Sequence, residues 1–170
     1  MPSKLLRGHV KIVAVEYDAI ANPAAPTSAE LNSASFAYDI SCAVLDDYTL
    51  NFTDSDTDDT LTVCDIGNTS TRTFVNYEAE LTGLRDADIS DSASVYNTFF
   101  KLFMAPDVKY WLVKRIGPAQ AANFAAGDSV SLYSVSTDYP TNNAEDGSML
   151  SMTANFKSLG DYNQNYTLLT

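Results

Sequence analysis

Apolar and polar residues alternate one for one from Val75 to Thr82. Val75, Tyr77, Ala79 and Leu81 fall on one face, and Asn76, Glu78, Glu80 and Thr82 on the other. That period predicts a strand over residues 72–84 with one buried side. A solvated turn follows over residues 85–92, rich in side chains that bond their own backbone. The spacing then changes: Val95, Phe99, Leu102 and Phe103 recur three and four apart, the stripe of an amphipathic helix over residues 93–104. Asp91 or Ser92 supplies its cap and Pro106 stops it. A β-rich run over residues 109–116 predicts the next strand, ended by Gly117 and Pro118. A helix of this kind, set between two strands, needs a sheet to lie on.

The flanking chain supplies that sheet. Strands are expected over residues 9–17, 36–44, 48–52, 128–137 and 148–157. Tyr38, Ile40, Cys42 and Val44 share one predicted face, and Leu150, Met152, Ala154 and Phe156 another. Thr27 and Glu30 have capping-box spacing, which predicts one helical turn. The pattern amounts to a mainly β fold with one flanking α-helix. Residues 161–170 contain Tyr162, Tyr166, Leu168 and Leu169 without a clean strand period, too apolar for a free tail.

Charge changes the picture more than composition does. The net charge is −12, and residues 12–71 contain no Lys or Arg. The densest acidic stretch holds Asp54, Asp56, Asp58 and Asp59. A surface of this sign repels phosphates and anionic lipid, which excludes sequence-specific nucleic-acid binding and membrane-surface binding. The aspartates occupy calcium-loop positions one, three and five, but Asp59 stands where glycine is needed and Asp65 where a bidentate glutamate is needed. An exposed, charge-extended loop is the better reading.

Chemistry-bearing residues are sparse. Cys42 and Cys64 lack a zinc spacing and read as free, buried thiols. His9, the single histidine, has no partner at catalytic spacing and reads as an edge residue. Glu78 and Glu80 form a pair two apart on one strand face; a hydrolase normally places its carboxylates on separate elements across a cleft. No phosphate loop or nucleophile elbow occurs. No run approaches the roughly 20 apolar residues of a membrane helix, and residues 1–15 lack a signal-peptide pattern. Trp111 and the tyrosines leave a carbohydrate-binding β-sandwich as a competing reading, although Leu112 and Val113 beside Trp111 favour a core or interface role.

An ordered series of short motifs resembles the major tail proteins of long-tailed, siphovirus-like phages that infect actinobacteria. It comprises Ala25-Pro-Thr-Ser-Ala-Glu-Leu-Asn, Asp39-Ile-Ser-Cys, Val63-Cys-Asp-Ile-Gly-Asn-Thr-Ser-Thr-Arg-Thr-Phe, Asn76-Tyr-Glu-Ala-Glu-Leu, Arg85-Asp, Tyr110-Trp-Leu-Val-Lys-Arg-Ile-Gly and Ala125-Ala-Gly-Asp-Ser-Val. Gly83 departs from it, standing where a larger, often aromatic residue is expected. The resemblance implies a β-sandwich or barrel-like tail tube domain over residues 1–170, with an N-terminal arm (1–8), an acidic loop (46–60) and a C-terminal arm (158–170). It implies a structural virion protein rather than an enzyme, with no cofactor or metal. Subunits would be assembled in the host cytoplasm as stacked, usually hexameric rings forming the tail tube. Its partners would be further copies of itself, the tape measure protein and the tail terminator and tip proteins. Genomic DNA would pass through the lumen without specific binding.

On this reading Glu78 and Glu80 line the lumen, because the opposite face of their strand is buried. Asp54, Asp56, Asp58 and Asp59 form an inter-ring loop that orders against the neighbouring ring. Tyr162, Tyr166, Leu168 and Leu169 pack on an adjacent subunit or along the outside of the sandwich.

Overall fold

The computed structural model describes residues 8–67, 70–143 and 149–169. The expected N-terminal arm, apart from Gly8, and the expected strand start at Ser148 lie outside them. The main sheet contains β1 (Val10–Glu16), β2 (Ala37–Asp39), β3 (Thr49–Phe52), β6 (Tyr77–Leu84), β7 (Lys109–Ile116), β8 (Ser129–Thr137), β9 (Thr141–Asn143) and β10 (Ser151–Thr167). Its strand order is β2-β1-β7-β8-β10-β6-β3, with β9 pairing β10 at the side. A separate two-stranded ribbon joins β4 (Asp56–Asp58) to β5 (Thr71–Phe74). The helices are α1 (Ser28–Leu31) and α2 (Val95–Phe103), with a 3-10 turn at Tyr17–Ala19.

β10 belongs to both halves of the sheet. Residues 151–155 pair with β6 and residues 156–167 with β8. The two halves face each other across the main core, which gathers Ile12, Ala14, Leu112, Tyr133 and Val135 from one side and Leu50, Tyr77, Leu81, Met152 and Ala154 from the other. Phe52 lies 5.2 Å from Tyr133 between ring centroids, and Tyr77 lies 5.6 Å from it, so aromatic rings knit the layers together. The result is a β-sandwich-like packing, mainly β as the alternation predicts.

α2 fills one side of this core. It begins two residues later than expected. Asp91 accepts the Ala93 amide in a local turn, and Ser94 directs its hydroxyl to Asp86, so neither caps the helix. Phe99 and Phe103 are fully buried as the stripe predicts. Phe103 makes edge contacts with Tyr110 at 5.6 Å and Phe156 at 5.0 Å.

A second core lies on the far face of β1, β7 and β8. Val13, Val15, Trp111, Val113, Val130 and Leu132 pack there under Ile20, Leu31, Phe124 and Leu168. These strands are buried on both sides, which is why the residue 9–17 run shows no clean alternation. α1 secures the cover. Its capping box is complete: Thr27 Oγ1 accepts the Glu30 amide, and the Glu30 carboxylate accepts the Thr27 amide. The Asn32 side chain then exchanges two hydrogen bonds with the Phe124 backbone, both 2.9 Å.

Thr27→Ala should cost about 1 kcal/mol, measured by denaturant unfolding. Burial works to raise the Glu30 pKa, but bonds from the Ala21 and Thr27 amides and the Thr27 hydroxyl outweigh it and hold the carboxyl below its ordinary value. Its contribution is therefore complete above the ordinary glutamate range and is lost as pH falls through the lowered folded value. The acid limb of the stability curve should lose this component in Glu30→Gln.

Four expectations change. The strand expected over 36–44 stops at Asp39, because Ser41 bonds the Asp39 carboxylate through both its amide and its hydroxyl and turns the chain. Ile40 and Ala43 are buried in place of an alternating face. Cys42, on that turn, is free but exposed, as is Cys64, so neither is the buried thiol expected. The strand expected over 72–84 is two strands. It breaks at Val75 and Asn76, where Asn76 Nδ2 donates to the Asp54 carbonyl and the Asp56 carboxylate. Residues 158–167, expected as an arm without a strand period, continue β10. Register shifts between Ser158 and Tyr162 and between Asn163 and Tyr166 hide their periodicity. Ser134 pins the first shift: its hydroxyl donates to the Asp161 carbonyl and accepts the Asp161 amide.

Candidate assembly surfaces

The outer face of the β3-β6-β10 layer is polar from Glu78 to Thr82. In β6 burial alternates strictly: Tyr77, Ala79, Leu81 and Gly83 are buried, while Glu78 and Glu80 are exposed. Direct cross-strand partners share a face, so the register extends it. Glu80 stands opposite Thr49 and Asn155, Glu78 opposite Asn51, and Thr82 opposite Thr153. The Thr82 and Thr153 hydroxyls bond each other at 3.1 Å. The strands of this patch of hydroxyls, amides and two carboxylates place no Lys or Arg on it, and Lys114 from β7 reaches its edge at Asn51. The next cation along β10, Lys157, is paired with Asp138 at 3.1 Å. No cleft brings Glu78 and Glu80 across from one another, because both project from one strand.

The acidic loop is built differently from its expected form. Asp56 and Asp58 lie on β4, paired with β5, and every residue of both strands is exposed. The ribbon leaves the sheet where β3 ends and β6 begins, clamped by the Thr53 amide donating to the Asn76 carbonyl. Local bonds hold its charge. The Thr60 hydroxyl and amide keep the Asp58 carboxyl below the usual range, and the Thr62 amide and hydroxyl do the same for Asp65. The ribbon also carries apolar residues that the charge pattern obscured. Leu61 is 50% exposed, Phe74 is 70% exposed, and Val63 and Ile66 are fully exposed.

The four tail residues separate. Leu168 is 1% exposed inside the second core of this chain. Tyr166 packs partly against the same core. Tyr162 makes edge contacts with Phe52 at 5.1 Å and Tyr77 at 6.4 Å, and is 41% exposed. Leu169 remains largely exposed. Of the four, Leu169 and the outer side of Tyr162 are the surfaces open to a neighbour.

Strand edges complete the inventory. β2 and β3 terminate the sheet order and offer unpaired edges. On β3 the Leu50 carbonyl accepts Lys114 Nζ, which also donates to Asn51 Oδ1 at 2.7 Å. Burial pushes the Lys114 ammonium pKa down. Trp111 does not offer a sugar platform. It is 1% exposed, stacked on Tyr17 at 5.5 Å, and its indole N–H donates to the Tyr17 carbonyl. His9 Nδ1 bonds the Gly117 carbonyl at 2.7 Å at a strand end. No helix among the described residues is long and apolar enough to cross a membrane.

Among the described residues, function-bearing chemistry therefore lies in extended surfaces: a polar sheet face, a projecting ribbon and open strand edges. These define a structural β protein of the kind that assembles with its own copies. A family profile described as phage tail tube protein matches residues 1–170, and the chain belongs to that family. The family is structural, it self-assembles into a tube, and its members are components of the virion tail. Comparison with curated proteins finds no match.

Proposed function

We propose that residues 1–170 form one tail tube domain that polymerises as stacked, hexameric rings, making the DNA conduit of a siphovirus-like phage that infects actinobacteria. The observation that carries this reading is the outer face of the β3-β6-β10 layer, which bears Glu78 and Glu80 among neutral polar residues, with Lys114 reaching its edge already engaged by Asn51 and the Leu50 carbonyl. Such a face suits a lumen. It offers DNA no phosphate-neutralising contact and no counterion release, so the duplex slides rather than binds. The edges of β2 and β3 pair with neighbouring subunits around the ring, which removes the exposed-edge problem. The acidic ribbon, with Asp54, Asp56, Asp58 and Asp59, reaches the next ring. Assembly takes place in the host cytoplasm around the tape measure protein, bounded by the tail terminator and tip proteins.

Negative-stain microscopy of the concentrated protein tests the assembly: regular hollow tubes are expected, and persistent monodisperse monomers would refute it. The lumen assignment is tested in phage. Glu78→Lys with Glu80→Lys changes each subunit by about four charges, and the new cations would grip phosphates at low salt. Tails should form, with DNA ejection slowed at low salt and recovering as salt rises. Ejection at the wild-type rate at low salt would remove these glutamates from the lumen.

A further inference from the structure

The ribbon and an apolar pocket sit at opposite ends of one strand. The ribbon joins the sheet at Tyr77, where β6 begins. At the other end, beyond Leu84, lies an open pocket of about 430 Å³ lined by Leu84, Arg85, Asp86, Ala87, Tyr96, Met149 and Leu150, with the Asp86 carboxylate already taken up by the Ser94 hydroxyl and the Asp88 amide. Eight residues of strand separate the two features, about 25 Å at the usual rise of a strand.

The two surfaces match in chemistry. The ribbon tip offers Leu61, Val63 and Ile66 without cover from the described residues. The pocket offers Met149, 76% exposed, and Leu150, 38% exposed. Residues 53–76 carry five aspartates and a single arginine. The pocket carries Arg85, whose guanidinium lies over the Phe100 ring at 4.1 Å and reaches Asn142 Oδ1 at 3.4 Å. Its Nε is buried without a hydrogen-bond partner, and no carboxylate among the described residues forms an ion pair with it. A guanidinium left in this state favours an incoming acidic group.

We infer that the ribbon tip of one copy docks in the Arg85–Met149 pocket of a second copy. Leu61, Val63 and Ile66 cover the apolar wall, and a ribbon aspartate approaches Arg85. Donor and acceptor lie at opposite ends of β6, so the contact is head-to-tail and repeats from copy to copy along the strand direction. The inference rests on the tube reading above and names the surface that receives the ribbon.

Cys64 lies on the ribbon between Val63 and Ile66 and is exposed, which makes the contact measurable. The full chain is prepared with Cys42→Ser, leaving Cys64 as its single thiol, and Met149→Cys is added. Assembled protein is oxidised mildly with diamide and run on a non-reducing gel. A head-to-tail contact places a thiol of each kind at every interface, so a ladder of covalent multimers is expected. It should form roughly tenfold or more faster than in a control carrying Ala24→Cys, because a docked pair meets at millimolar effective concentration. Tubes without a ladder, or a ladder no faster than the control, would overturn the inference and leave the tube intact. Rapid dimers from the Cys42→Ser parent would also overturn it, because they show ribbon against ribbon. Absence of both tubes and sedimenting oligomers would remove the tube reading and this contact with it.

Discussion

Arg115→Met should lower stability by about 3–5 kcal/mol, the usual cost of breaking a buried ion pair from one side. At this chain length that corresponds to a fall in Tm of roughly 6–20 °C. Arg115 is fully buried at the end of β7. Its guanidinium donates to the carbonyls of Ala119, Ala122 and Asn123 and to the Asp128 carboxylate, all within 2.9–3.0 Å. It also lies 5.0 Å from the centroid of Phe124. One side chain thus organises the whole loop that roofs the second core. Removing Asp128 as well should not restore stability. Asp128→Leu eliminates the stranded carboxylate, but the three carbonyls still lack their donor, and the Ala125 amide loses the Asp128 acceptor. Arg115→Lys should also be costly, since an ammonium cannot match a planar fork that serves four acceptors. Thermal melting of the three variants checks the set. A double variant as stable as wild type would show that the pair, not the loop, was the point of the arrangement.

Gly83→Ala is expected to destabilise the chain by about 1–3 kcal/mol through overpacking. A Cβ at this position would stand 2.4 Å from the Phe99 ring, far inside contact distance. Phe99 is fully buried and in edge contact with Phe103 at 5.1 Å, so it has no room to retreat. The clash identifies a compensating change. Gly83→Ala with Phe99→Leu should be less destabilised than the sum of the two single variants, because the smaller side chain vacates the space the methyl needs. Strict additivity in a double-mutant cycle would refute the coupling. The space over Gly83 on β6 is filled by the Phe99 ring from α2.

The elements that read clearly in the sequence are those with one wet and one dry face. β6 alternates because Tyr77, Ala79 and Leu81 enter the core while Glu78 and Glu80 do not. α2 shows its stripe because Phe99 and Phe103 meet the sheet. The ribbon was illegible for the opposite reason: β4 and β5 are exposed on all sides, so nothing forces a period on them. The end of β10 was hidden by its register shifts, which break the parity that a strand pattern depends on. The turn at Ser41 competed with an apparent alternation and won, because an aspartate carboxylate can take both the amide and the hydroxyl two residues on. Arg115 gave no signal of burial, since a charge within an apolar strand reads equally as an outward residue. Docking surfaces are the least legible of all. Val63 and Ile66 look like ordinary loop residues until their exposure is known.

The double membership of β10 bears on when the subunit becomes whole. β1 pairs with β7 about a hundred residues later, and β6 and β8 join one sheet only through β10. Pairings of such sequence separation form slowly. While a ribosome is still making the chain, the strands before residue 151 lack the shared strand that joins them into one sheet. Leu168, which closes the second core, emerges later still. A nascent chain therefore shows open β edges and uncovered apolar faces until residues 151–168 have emerged, the condition in which β proteins aggregate. Because the ribbon emerges long before β10, its apolar tip is available while the core is still open. Productive growth then favours completed subunits over chains still being translated, and a synthesis rate that outruns closure of β10 should divert chains into aggregates.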